Sequence, residues 1–126
     1  MSKKLIQTNA APTAIGPYSQ AVRAGDLVFC SGQIPLNPKT GEISLGSIED
    51  EARQVLDNLM AVVRAAGGEP DHVVKTTIYL TDINQFGKIN DIYGSYFKAP
   101  FPARATVQVA ALPKGAHVMI DATLAL

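Results

Sequence analysis

The amino-acid sequence predicts an α+β fold in which two helices pack on one face of a mixed β-sheet. Its 126 residues can bury one substantial core and leave no room for a second, so residues 1–126 are predicted to form a single domain. Two segments repeat apolar residues every three or four positions, as amphipathic helices do. The segments around them alternate apolar and polar residues, as strands do. The order strand, hairpin, helix, strand, helix, hairpin is typical of helices covering one side of a sheet.

The N-terminal third of the chain predicts three short strands. Residues 5–6 indicate the first strand, and residues 18–23 and 27–31 indicate a hairpin. Gly25, in the connection, supplies the backbone freedom that a tight turn needs. Cys30 is the only cysteine, so an internal disulfide is excluded, and no base is near it in the sequence. We therefore predict that Cys30 is a packing residue rather than a nucleophile.

The first helix is predicted from Ser47 to about Ala66. The Ser47 hydroxyl can cap the first turn, the acids that follow suit the positive end of the helix dipole, and Gly67-Gly68 ends the helix. Residues 42–43, before it, indicate a brief strand. One apolar stripe is expected to face the core, formed by Ile48, Ala52, Val55, Leu56, Leu59, Val63 and Ala66.

A strand and a second helix are predicted next. Residues 72–81 alternate, with Val74, Thr76, Ile78 and Leu80 expected on the buried face. Asp82 with Gln85 can cap the helix, and Gly87 and Gly94 are interpreted as marks of close packing. The apolar positions of this helix are Ile83, Phe86, Ile89, Tyr93 and Phe97.

The strand that follows carries a single charge. Pro100 and Pro102 put its start near Ala103, and Pro113 ends it after Leu112. The alternation predicts one small apolar face beneath the helices, made of Ala105, Val107, Val109 and Ala111. The opposite face would hold Arg104, Thr106, Gln108 and Ala110. A lone guanidinium on a covered face needs an anion, unless Arg104 pairs with an acid of its own fold or lies on a solvated rim.

The final strand is predicted over residues 117–124, with Val118, Ile120, Ala122 and Leu124 facing the core. The sheet face away from the helices would then carry few charges and is expected to be buried by self-association. Its predicted members are Thr77, Tyr79, Thr106, Gln108, Met119 and Thr123.

Composition restricts the classes of function. Eleven basic and eleven acidic residues give a net charge of zero, so nothing in the composition resembles an electrostatic footprint for nucleic acid, and no nucleic-acid partner is expected. No apolar run approaches the roughly 18 residues of a membrane span, and the N-terminus lacks the apolar core of a secretory signal. A cytoplasmic protein is therefore expected. No Cys, His or acid cluster has ligand spacing, so neither a metal nor another cofactor is expected.

Three ordered motifs resemble the Rid/YjgF family of reactive intermediate deaminases. They are Gly16-Pro-Tyr18-Ser-Gln-Ala21, Phe29-Cys-Ser31-Gly-Gln-Ile-Pro35, and Pro102-Ala-Arg104-Ala-Thr106 with Val109-Ala-Ala-Leu-Pro113-Lys-Gly. The resemblance covers essentially the whole chain. It implies a chorismate mutase-like fold and a homotrimer with a central β-barrel-like core and three sites between subunits.

The resemblance also implies an activity and its residues. Family members convert enamines and imines of 2-oxo acids, such as 2-iminobutanoate and 2-iminopropanoate, to the 2-oxo acid and ammonia without a metal. Arg104 would bind the carboxylate, and the backbone at Thr106 would contact the imine nitrogen and a water. Tyr18, Ser31, Gly32 and, more weakly, Asn90 would line the cleft. The alternatives are a core position for Tyr18, a strand end at Ser31 and a solvated helix position for Asn90.

Met119 departs from the family pattern, which has glutamate at this position to orient the attacking water. A thioether cannot accept a proton, so activity could be reduced or the substrate altered, and Met119→Glu is expected to raise imine hydrolysis. A non-catalytic trimer that binds small carboxylates is the alternative function. A ribonuclease is the third, and it is disfavoured because His72 and His117 are isolated in the sequence.

Overall fold

The computed structural model describes residues 2–126 and arranges them as one six-stranded sheet with two α-helices. The helices are α1 (Ile48–Ala65) and α2 (Phe86–Tyr96). The strands are β1 (Lys4–Ile6), β2 (Ala21–Ala24), β3 (Leu27–Gln33), β4 (Val73–Leu80), β5 (Ala103–Gln108) and β6 (Val118–Ala125). Their order across the sheet is β1-β2-β3-β6-β4-β5, and β4 and β5 are parallel while the other neighbours are antiparallel. The predicted α+β fold with a mixed sheet is confirmed.

Both helices pack on the same face of the sheet and enclose one hydrophobic core with β3, β4 and β6. The predicted ends of α1 are confirmed. The Ser47 hydroxyl accepts a hydrogen bond from the Asp50 N–H at 3.1 Å. At the other end Gly67 has a φ of 87°, which favours glycine, and its N–H donates to the Arg64 carbonyl.

The strand predictions hold with local corrections. The β2–β3 hairpin forms, and Cys30 is buried in it, as predicted for a packing residue. The pairing of β4 with β6 shifts between Val73 and Lys75. Because of this irregularity Val73 is buried and Val74 is 45% exposed, so the prediction that Val74 faces the core is wrong. Residues 42–43 form no strand, and only an isolated bridge joins Leu36 to Ile43.

The start of α2 also differs from the prediction. Asp82 caps a 3-10 turn, Ile83–Gln85, by accepting from the Asn84 N–H at 3.0 Å, and α2 begins only after that turn. Ile83 is therefore exposed rather than on the apolar stripe. The interpretation of Gly87 and Gly94 as close packing is wrong as well, because a Cβ at either position would have no neighbour within 4 Å.

The two faces of β5 are the reverse of the prediction. Arg104 pairs with Thr76 and Thr106 with Ile78, and both β4 residues are buried beneath the helices. Since paired residues in neighbouring strands share a face, Arg104 and Thr106 lie on the helix-covered side. Ala105 and Val107 lie on the opposite side, which we call the open face. Alternation alone could not assign the two faces, because β5 is an edge strand in which no residue is buried.

Candidate active site

Arg104 lies at the sheet edge, where α2 holds its side chain. The guanidinium carbon lies 4.9 Å from the ring centre of Phe86 and 5.0 Å from that of Tyr93. Its Nη1 donates a 2.9 Å hydrogen bond to Oδ1 of Asn90. Positions 86, 90 and 93 recur at helical spacing, so a single side of α2 supplies all three contacts.

A hydrogen bond to β4 holds Tyr93 in place. Its hydroxyl and that of Thr76 in β4 lie 2.7 Å apart, and both residues are buried. Burial raises the pKa of Tyr93, although the Thr76 hydrogen bond and the Arg104 charge act to lower it. The phenol therefore stays neutral at physiological pH and offers Arg104 a ring face without neutralising its charge.

Arg104 has no acidic partner among the described residues. The salt bridges found within residues 2–126 all involve other cations. The side chain is exposed and borders a cavity of about 390 Å³, whose wall includes Asn90, Gly94 and Phe101. Pairing with an acid of its own fold was one predicted alternative, and no such pair occurs in residues 2–126. A positioned, uncompensated guanidinium beside a cavity can bind a carboxylate through two parallel hydrogen bonds.

The backbone of Thr106 lies at the free edge of the sheet. The Val109 N–H donates to the Leu80 carbonyl at 2.8 Å, so the backbone of Val109 points towards β4. Both backbone groups of a strand residue point to the same side, and this side alternates along the strand. The N–H and C=O of Thr106 therefore point away from β4, beside Arg104 along the same edge.

A second cavity, of about 380 Å³, contains the other predicted site residues. Tyr18, Gly32 and Met119 line it together. Tyr18 is 53% exposed, so it is not a core aromatic. Ser31 does not line this cavity, and its hydroxyl donates to the Ser19 carbonyl at 2.6 Å.

Gln20 and Lys114 are among the residues of this cavity that the sequence did not assign to the site. Gln20 is buried and ties down the preceding loop: its Oε1 accepts from the Thr8 N–H at 2.7 Å, and its Nε2 donates to the Pro12 carbonyl at 2.8 Å. Lys114 is the single positive-φ residue other than glycine among residues 2–126, with a φ of 58°. Both residues lie inside family motifs, but only the three-dimensional backbone identifies their roles.

The two cavities share no lining residue. Arg104 lies on the helix-covered side of β5, whereas Met119 pairs with Tyr79 on the open face. One copy of the chain therefore brings Arg104, Asn90 and the Thr106 backbone together, and separately brings Tyr18, Gly32 and Met119 together. It does not join the two groups.

The two histidines lie apart from both groups. His117 contacts Glu51, with its Nδ1 2.7 Å from one carboxylate oxygen and its backbone N–H donating to the other at 2.9 Å. His72 accepts from the Glu69 N–H. Within residues 2–126 no three potential metal-ligating side chains of His, Cys, Asp or Glu cluster, and no helix is both long and apolar enough to cross a membrane.

Comparison with known proteins gives the same family along almost the whole chain. The family model described as Endoribonuclease L-PSP matches residues 8–126. The human 2-iminobutanoate/2-iminopropanoate deaminase is 49% identical over 95% of this chain and 88% of its own. A Yersinia pestis protein of the Rid family, YyfA, has a structure with a TM-score of 0.96 and 51% identity, covering 99% of this chain and all of its own. E. coli TdcF with bound serine has a TM-score of 0.93 and 44% identity, over 98% of both chains. The chain belongs to the Rid/YjgF family.

Proposed function

We propose that this protein hydrolyses the enamine and imine forms of 2-oxo acids, such as 2-iminobutanoate and 2-iminopropanoate, to the 2-oxo acid and ammonia. The observation that carries the proposal is Arg104, a cation with no acidic partner in residues 2–126, positioned by Phe86, Asn90 and Tyr93 beside a cavity. The deaminase name of relatives at about 49% identity supports it. So does the serine bound by TdcF, since serine is a small carboxylate.

The proposed chemistry needs positioning more than a strong catalyst. Arg104 binds the substrate carboxylate, and the edge backbone at Thr106 holds the imine nitrogen and a water. Water adds to the imine carbon, the nitrogen takes up a proton, and the resulting carbinolamine breaks its C–N bond. The products are one 2-oxo acid and one ammonia, with no change in oxidation state. Such imines also hydrolyse unaided, so no covalent nucleophile is required.

We further propose that the site is completed between copies of the chain in a homotrimer. Four large apolar side chains are more than 40% exposed on strands β1, β3 and β5, namely Leu5, Leu27, Phe29 and Val107. Phe29 and Val107 belong to the open face, through their pairing with Thr123 and Tyr79. Burying such a face by association is favourable. The cavity of one copy that contains Met119 would then meet the Arg104 edge of the next.

A second candidate function is binding of a small carboxylate without catalysis. The observation that favours it is the second cavity, in which no carboxylate lines the wall and the Met119 thioether replaces a possible proton acceptor. The two functions differ in whether the bound imine is hydrolysed or a small carboxylate is only bound.

One experiment separates them. A threonine dehydratase supplies 2-iminobutanoate, and its decay to the 2-oxo acid is followed with the wild-type protein, with Arg104→Ala and with Arg64→Ala. Arg64 is a matched control, because it is an exposed arginine at the end of α1 that pairs with Glu69. Loss of a bidentate charged contact should slow catalysed decay at least about a hundredfold in Arg104→Ala only.

Absence of any acceleration by the wild type would reject the deaminase. If 2-oxobutanoate still binds, with an affinity that Arg104→Ala abolishes and Arg64→Ala preserves, the carboxylate-binding function replaces it.

A further inference from the structure

The second cavity has a composition suited to an apolar side chain. Its wall includes Pro12, Ile15, Ile34 and Leu36, in addition to Met119. At about 380 Å³ in one copy of the chain, it can admit side chains longer than the methyl group of the smallest 2-imino acid, the one derived from alanine. A cavity that exceeds its ligand leaves apolar wall in contact with water, which a longer side chain would displace.

Met119 determines much of this wall because it lies directly over Gly32. A Cβ built at Gly32 would lie 2.8 Å from Met119 Sδ and 3.0 Å from its Cγ. Because Gly32 has no side chain, the Met119 thioether can occupy this space. Methionine is flexible and polarisable, so it can adapt to apolar groups of different shapes. A carboxylate at the same place would have to lose water whenever an apolar group bound against it.

We infer that Met119 makes this protein select 2-imino acids with extended apolar side chains, such as those derived from leucine or methionine, over the one derived from alanine. The inference rests on the proposed function, and it names the substrate class. It places the substrate carboxylate at Arg104 and the side chain against Met119 of the adjoining copy.

Lys114 supplies the competing expectation. It is the only charged residue in the cavity wall, and its charge would favour a substrate with a second carboxylate, such as the imine derived from glutamate. The apolar residues outnumber it, and Lys114 is exposed, so its charge is well hydrated. We therefore favour the apolar side chain and make the dicarboxylate an outcome of the test.

The test measures kcat/KM for imines produced by an amino-acid oxidase from alanine, leucine, methionine and glutamate. Calorimetry gives the Kd of the four corresponding 2-oxo acids. The wild type should prefer the leucine and methionine substrates over the alanine substrate by at least about tenfold. Met119→Glu should reduce this ratio to near one, whereas Met119→Leu, which keeps an apolar wall, should retain it. Met119→Gln separates polarity from charge and should also reduce the ratio.

Equal rates for all side chains, a preference for the glutamate substrate, or an unchanged ratio in Met119→Glu would each overturn the inference. Its failure is distinguishable from that of the proposed function. If no imine is hydrolysed but the 2-oxo acids show the expected order of Kd, the selectivity stands and the catalysis does not. Arg104→Ala should raise the Kd of all four 2-oxo acids by a similar factor.

Discussion

Individual side chains around Arg104 have separable roles. Phe86 and Tyr93 stack on its guanidinium, while Asn90 fixes its direction through one hydrogen bond. We expect Asn90→Ala to lower kcat/KM for 2-iminobutanoate about tenfold, less than Arg104→Ala does, because the stacking remains. A positioning role should show mainly as a raised KM that Asn90→Asp does not restore, since aspartate would neutralise the guanidinium. An unchanged KM in Asn90→Ala would refute that role.

The buried thiol of Cys30 should make the folded protein less stable at alkaline pH. Burial, with a smaller effect of the Asp121 charge, raises the pKa of its thiol from 9.0 to about 12. Between these values the unfolded chain loses a proton that the folded chain keeps, so stability falls as pH rises. Cys30 alone should lower the free energy of unfolding by about 1 kcal/mol per pH unit between pH 9 and 10, and the tyrosines of the unfolded chain, whose ordinary pKa is near 10, add to this slope.

Chemical denaturation of the wild type and Cys30→Ala across this range checks the slope. The variant should be less stable at neutral pH but should show a flatter dependence on pH. Parallel curves would contradict the assignment.

Glu51 is almost fully buried and joins α1 to the start of β6 through its two bonds to His117. We expect Glu51→Ala to lower the free energy of unfolding by about 2 to 3 kcal/mol, because it leaves the His117 N–H without its acceptor. Glu51→Gln keeps an acceptor oxygen and should cost less. Urea denaturation measures both, and equal losses would show that packing rather than hydrogen bonding matters here.

At the residue scale the sequence predicted more of the site's members than of their contacts. Arg104 and Asn90 could be named from the resemblance, and the structure brings them within hydrogen-bond distance. Tyr93 was placed only in the core, although its spacing from Phe86 and Asn90 already aligned the three on α2. One aromatic side chain of a helix can pack in the core and also stack on a guanidinium, as Tyr93 does. The helical periodicity of the sequence does not distinguish these two roles.

Among the elements, β5 offers the sharpest test of a backbone role. Thr106→Pro removes an N–H that points to the free edge, so the fold should survive while imine hydrolysis is lost. Ala105→Pro removes an N–H that points to β4, so it should destabilise the sheet. Thr106→Ala keeps the backbone and should retain most activity. Circular dichroism and the imine assay compare the three, and full activity in a folded Thr106→Pro would exclude the backbone role.

The elements that the sequence predicted best are those whose two faces meet different surroundings. The stripe of α1 and the alternation of β6 are both observed, because each packs on the core. The faces of β5 were reversed, since on this edge strand small apolar residues meet the open side and Arg104 meets aromatic rings. The irregularity at Val74 could not be predicted from the sequence either, because an alternating pattern assumes that the pairing of the two strands has no register shift.

For the whole molecule, a site shared between copies predicts complementation. Arg104→Ala and Gly32→Trp each damage a different cavity, so each variant alone should be inactive. When the two are unfolded together and refolded, mixed trimers should contain some intact sites, and about a tenth or more of the wild-type rate should return. Refolding each variant alone is the control. No recovery, with mixed assemblies demonstrated by native mass spectrometry, would place the whole site within one chain.

The buried Gln20 gives the N-terminus an unexpected importance. Its side chain fastens the backbone at Thr8 and Pro12, and the loop that follows forms part of the wall beside Tyr18. A proteolytic nick or a short deletion before residue 12 would release this loop and enlarge the cavity. Affinity tags are therefore better fused to the C-terminus when binding is measured, and N-terminal trimming would change ligand affinity without touching any ligand-contacting residue.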